Sequence, residues 1–66
     1  MYLLAGSRRL GVAQLGPDFI ILDEPTEVPP GPGELVVLVD GNEKRRAVTL
    51  PAGIRAYEIR TPIARA

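Results

Sequence analysis

The chain has 66 residues, one domain at most, with eight Lys and Arg balancing eight Asp and Glu, and with neither Cys nor His. Disulfides, thiolate metal sites, thiol nucleophiles and imidazole bases are thereby excluded, and zero net charge gives no long-range pull towards nucleic acid or anionic lipid. A domain of this size buries only about 60% of the surface its unfolded chain exposes, so self-association or docking on a partner becomes the expected way to complete its core.

Seven Pro and seven Gly cut the sequence into short pieces. The longest interval free of both, Asn42 to Leu50, carries no apolar stripe of helical period, so short strands are expected throughout. Tyr2 to Ala5 reads as a first strand, ended by Gly6-Ser7. Leu10 to Leu15 reads as a second, with Leu10, Val12 and Gln14 on one face and Gly11 marking a bulge or a close backbone approach. Gly16-Pro17-Asp18 has the residues of a tight turn. Phe19 to Leu22 is apolar throughout, which predicts burial on both faces, and it ends at Asp23-Glu24-Pro25. Residues 24–33 hold four prolines, each keeping its predecessor extended. They predict a stiff strap with Val28 as its one apolar anchor.

Residues 34–50 are the most informative stretch. An apolar run, Leu35 to Val39, is followed by a turn and by a run that starts basic and ends apolar, the pattern of a β-hairpin. Asp40-Gly41 is a strong type I′ signal, because both central positions of that turn need φ > 0. A Gly41-Asn42 loop would pair Leu35 with Val48, and a three-residue loop would pair Leu35 with Ala47. Pro51-Ala52-Gly53 closes the strand. Ala56 to Ile63 reads as the last strand, half-buried, with Tyr57, Ile59, Thr61 and Ile63 alternating with Glu58, Arg60 and Pro62, and with Pro62 suited to an edge. The expected fold is a single small all-β domain over residues 1–66. Five or six short strands pair antiparallel and curl into a barrel or half-sandwich, since parallel pairing needs longer crossovers than these loops provide.

Enzyme chemistry is not expected: no residue is a candidate for catalysis, for a cofactor or for a metal. Ser7 is the sole Ser and has no His or Cys to activate it. Asp23, Glu24 and Glu27 read as solvated turn residues. Gly31-Pro32-Gly33 lacks the Lys-Ser/Thr and the helix of a phosphate loop, and Asp40-Gly41-Asn42-Glu43 lacks the alternating acidic ligands of a calcium loop. Pro29-Pro30-Gly31-Pro32 contains a Pro-x-x-Pro spacing but reads as an inter-strand connection. Lys44-Arg45-Arg46, joined by Arg8 and Arg9 if the N-terminus folds nearby, is either a phosphate-contacting patch or a charged rim that keeps a strand edge from aggregating. Aromatic residues to stack bases are scarce, being Tyr2, Phe19 and Tyr57 alone.

Between Gly11 and Val39 the chain runs strand, turn, Ile-Ile-Leu-Asp-Glu-Pro, a gap, then Val-Pro-Pro-Gly-Pro-Gly-Glu-Leu-Val-Val-Leu-Val. This layout resembles that of short all-β prokaryotic antitoxins. The matching positions are Ile20, Leu22, Pro25, Val28, Pro29, Gly31 and the strand from Leu35, over less than half of the chain. The resemblance implies a non-enzymatic protein that binds and neutralises a toxin, often as a dimer.

The expected function is a non-catalytic β module that self-associates, as a homodimer or higher, or binds a protein partner. Leu35, Val37, Val39, Tyr57, Ile59 and Ile63 are the candidate interface residues. The competing reading is a nucleic-acid-binding small barrel using Arg8, Arg9, Lys44, Arg45 and Arg46. No run approaches the roughly 18 apolar residues of a membrane span, and Met1 to Arg9 lacks the layout of a signal peptide. No membrane partner and a cytoplasmic location are therefore the expectation.

Overall fold

The computed structural model describes residues 1–66, an all-β chain with no helix. The strands are β1 (Tyr2–Ala5), β2 (Arg8–Leu15), β3 (Phe19–Leu22), β4 (Gly31–Val39), β5 (Asn42–Leu50), β6 (Thr61–Pro62) and β7 (Ala64–Arg65). All seven join one antiparallel sheet in the order β6-β3-β2-β1-β4-β5-β7. Three of its pairings are the hairpins that the turn residues predict: β1 with β2, β2 with β3, and β4 with β5. The strap returns the chain so that β4 lies beside β1, with Leu3 opposite Leu35.

The two edge strands of this order are consecutive in the chain, and that curls the sheet into a nearly closed barrel. Thr61 and Pro62 pair with Ile20 and Phe19 of β3, and Ala64 and Arg65 pair with Thr49 and Val48 of β5. Between them Ile63 turns inwards, and its N–H donates to the Asp18 carbonyl at 3.0 Å. One tail segment thus covers part of both edges. Leu3, Ile20, Leu35, Val48 and Leu50 are fully buried at the centre of the core, with Leu10, Val12, Ile54 and Ile63 around them. At roughly 1.5–3 kcal/mol for each large aliphatic side chain removed from water, this interior dominates the favourable side of folding.

The strap carries its anchor as predicted. Val28 packs against the core and forms an isolated antiparallel bridge with Ile54, with N···O distances of 2.9 and 2.8 Å. Arg8 ties the strap down from the other side, donating to the Glu27 carbonyl at 2.8 Å. Gly53 makes the bridge possible: its φ is +69°, and a Cβ there would overlap the Val28 carbonyl oxygen and lie 2.8 Å from Pro30 N. The strap is shorter than the sequence suggests, because β4 already begins at Gly31. Pro32 is tolerated inside β4 because it faces Thr49 in a pair whose β4 N–H points away from β5, beyond the end of β1.

Several expectations are corrected. The turn occupies Asp40-Gly41 themselves, with φ of 51° and 81°, so Val39 pairs with Asn42 and Leu35 faces Arg46, not Val48 or Ala47. The ladder of β2 shifts between Val12 and Gln14, so the bulge lies at Ala13 and Leu15, not Gln14, continues the inner face opposite Ile20. Gly11 is instead the close approach: a Cβ there would overlap the Asp23 carboxylate. Only Ile20 of β3 is fully buried, its neighbours being half-covered. The predicted strand from Ala56 to Ile63 is reduced to Thr61–Pro62, and Tyr57 and Ile59 stand on an exposed loop. Alternation holds only where an edge is there to pair with, at Thr61 and Ile63.

Candidate protein-docking surface

β4 and β5 are each nine residues long, whereas β1, which flanks β4, has four. The pairing of Tyr2 with Val36 marks where β1 runs out. Beyond it the β4–β5 hairpin continues alone as an arm, from Val37 to Lys44. Its outer apolar residues therefore have no barrel beneath them, Leu38 being 59% exposed and Val39 43%, whereas Val37 at its base still packs against the core. Met1 and Leu15, also exposed, lie at the same end. Continuing the β1–β4 register places Met1 beside Val37, and Leu15 shares a groove with Val37. Four of the six exposed large hydrophobic residues thus collect at one end of the barrel, the others being Tyr57 and Ile59.

Pairing across the hairpin sorts the charges. Residues directly opposite share a face, so Lys44 and Arg46 lie on the concave side with Val37 and Leu35, and Arg45 lies on the convex side with Val36. On the convex side Arg45 donates to Glu34 Oε1 at 2.7 Å and to Glu43. These are the molecule's two ion pairs. The hydrogen bonds it donates to Glu43 and then to Glu34, with their negative charge, hold the guanidinium still more firmly protonated than usual. Tyr2 and Arg45 flank Val36 from the neighbouring strands, with Arg9 seated 4.0 Å from the Tyr2 ring centroid, so Val36 is fully buried although it points away from the core. Lys44 and Arg46, by contrast, form no ion pair. With Leu15, Leu35, Val37 and Arg45 they line an open groove of ≈ 390 Å³, apolar in its floor and cationic at its rim. Asp18 and Arg65 border the adjoining hollow below Arg46.

The arm also presents unpaired backbone. β7 covers β5 only at Val48 and Thr49, leaving the outer edge from Asn42 to Ala47 without a neighbour. A two-residue type I′ turn makes its flanking residues a hydrogen-bonded pair. Asn42, Lys44 and Arg46 therefore bond to β4, and Glu43, Arg45 and Ala47 direct their N–H and C=O groups outwards.

The residues expected to form a protein interface do not share one surface. Val37 and Val39 are on the arm, Tyr57 and Ile59 are on the exposed loop, and Leu35 and Ile63 are core residues whose side chains face the barrel interior. Leu35 and Ile63 are therefore corrected to structural residues. Sequence reading missed Leu15 and Met1, because only the bulge at Ala13 turns Leu15 inwards and only the β1–β4 register brings Met1 to Val37. The five basic residues are likewise divided. Arg8 is bonded to the strap, Arg9 is stacked on Tyr2, and Arg45 is paired with two carboxylates, so Lys44 and Arg46 alone are free. A second cleft, of ≈ 190 Å³, lies between β3 and the loop that carries Tyr57 and Ile59, and is lined by Asp23, Glu24, Arg55 and Glu58 among others. It is smaller than the roughly 300–1,000 Å³ of typical small-molecule sites. No group of three acidic side chains converges as a metal site would require. Comparison with protein-family models, curated proteins and solved structures finds no match to the chain.

Proposed function

We propose that the chain is a non-catalytic protein-binding module that docks through the β4–β5 arm. The observation that carries this reading is the coincidence, on one protruding hairpin, of exposed Leu38 and Val39, the apolar groove at Leu15 and Val37, and an uncovered strand edge. Exposed apolar surface beside an open edge suits β-augmentation, in which backbone hydrogen bonds supply affinity and alternate side chains supply selectivity. The nucleic-acid reading has less support. Its basic residues point to two faces and three of the five are already engaged, and the groove contains no aromatic residue on which a base could stack. The narrower antitoxin-like version rests on the sequence pattern from Ile20 to the strand at Leu35.

The test is capture of proteins from the native source on the immobilised chain, compared between two folded variants. A partner retained by the wild type, lost with Leu38→Lys/Val39→Lys and kept with Tyr57→Ser/Ile59→Ser supports the arm as the docking surface. The same proteins retained by all three, or a captured nucleic acid released by salt, would count against it.

A further inference from the structure

We infer that the uncovered β5 edge takes an extended acidic strand, with acidic side chains at alternate positions facing Lys44 and Arg46. The inference rests on the protein-binding reading above and specifies the chemistry of the partner.

Outward N–H and C=O groups of Glu43, Arg45 and Ala47 define where a guest strand can bond and hence its phase. In that phase, residues two apart on the guest stand opposite Lys44 and Arg46 on the concave side, and the residue between them stands opposite Arg45. Lys44 and Arg46 lack a carboxylate of their own, whereas Arg45 already has two. The guest thus meets two unneutralised cations on one of its faces and a satisfied ion-pair cluster on the other. An acidic-x-acidic segment fits this edge, with x bearing no charge requirement. Beside the two cations, the groove floor of Leu15 and Val37 lowers the local dielectric and offers apolar surface to the acidic side chains' methylenes.

A second copy of this chain is a poorer fit to the same edge. Antiparallel self-pairing must match outward residues with outward residues. Centred on Arg45, it sets Arg45 against Arg45 and Lys44 against Arg46, and like charges directly opposite are destabilising. Centred on Lys44, it sets Lys44 against the other copy's Lys44 and Arg46 against Asn42, and it places each Arg45 opposite a Glu43 although Arg45 already bonds the Glu43 of its own chain. Neither register gives Lys44 or Arg46 a carboxylate, which an acidic guest does.

The experiment is an NMR titration of the labelled chain with a short peptide alternating Thr and Glu, and with its Thr–Lys counterpart. Expected are shifts confined to Asn42–Ala47 and the facing residues of β4, with slowed amide exchange at Glu43, Arg45 and Ala47. No binding of the Thr–Lys peptide is expected. The charge-reversed variant Lys44→Glu/Arg46→Glu should bind the Thr–Glu peptide about tenfold more weakly or worse, and should accept the Thr–Lys peptide. Arg45→Pro should abolish binding, because it removes the central outward N–H while sparing the bonds to β4. An N-methylated Thr–Glu peptide should fail on the wild-type chain, whatever the folding of that variant. Equal binding of both peptides, shifts elsewhere, tighter binding of an oligothymidylate at these residues, or a dimer whose interface maps to Asn42–Ala47 would overturn the inference. If the Thr–Glu peptide does not bind but Leu38→Lys/Val39→Lys still loses a captured partner, the acidic strand is wrong and the protein-binding reading stands. If both fail, that reading falls with it.

Discussion

Replacing Gly53 by Ala separates two consequences of a glycine that most positions confound. At φ +69° an L-residue loses roughly 1–2 kcal/mol for the left-handed backbone. At this site the added methyl also meets the Val28 carbonyl oxygen, so the bridge to Ile54, with its N···O distances of 2.9 and 2.8 Å, must open. Two backbone hydrogen bonds at a net of about 1 kcal/mol each bring the expected loss to roughly 3–4 kcal/mol. A chain of 66 residues has about 3–10 kcal/mol in total, so the change removes about 30% of it or more and lowers Tm by at least about 12 °C. Gly41→Ala is the matched control: its φ is +81°, but nothing lies within 4 Å of the added methyl. It should lose the backbone share alone, about 1–2 kcal/mol. The assay is thermal and urea unfolding of both variants by circular dichroism. Equal losses at the two sites would refute the argument, because the strap would then not be held through the Val28–Ile54 bridge.

Ile63→Ala should destabilise the domain by about 2–4 kcal/mol, and amide exchange should rise first at the tail-paired residues Ile20 and Thr49, since Ile63 is the inward anchor of the segment that spans both edges. The loop double variant Tyr57→Ser/Ile59→Ser should leave stability within about 0.5 kcal/mol in urea unfolding, because both side chains stand in solvent.

Strand placement was legible where local chemistry decides it. Gly6-Ser7, Gly16-Pro17-Asp18, Asp40-Gly41 and Pro51-Ala52-Gly53 each end a strand as their turn residues demand. What depended on long-range pairing was not legible. Tyr57 and Ile59 alternate as a strand would, yet strands need a partner edge, and the tail reaches one only at Thr61. The apolar run Leu35 to Val39 looks uniform, yet Leu35 and Val36 are buried while Leu38 and Val39 are not. The difference lies in where a different strand begins: Tyr2, the first residue of β1, stands opposite Val36, and no residue of β1 flanks Leu38 or Val39. Reading Lys44, Arg45 and Arg46 as one cluster failed for a related reason. Consecutive strand residues alternate faces, so a basic triplet in β5 is divided by geometry, and Glu34, which engages Arg45, is eleven positions away.

The same end of β1 divides the arm's apolar residues into those that hold the fold and those that do not. Leu38→Thr/Val39→Thr keeps strand propensity, since Thr is enriched in strands, and removes side chains that are 59% and 43% exposed. Stability should change by about 0.5 kcal/mol or less. Leu35→Ala, three residues earlier in the same strand but 2% exposed, should lose about 2–5 kcal/mol. A loss at Leu38 and Val39 comparable with that at Leu35 would mean that the arm is covered in solution. A Tm rising with protein concentration would then identify a second copy as the cover. A small loss that does not vary with concentration leaves the arm's apolar side chains contributing little to the fold. Their contribution would then lie in what the arm binds, which is why the arm is the surface to probe first.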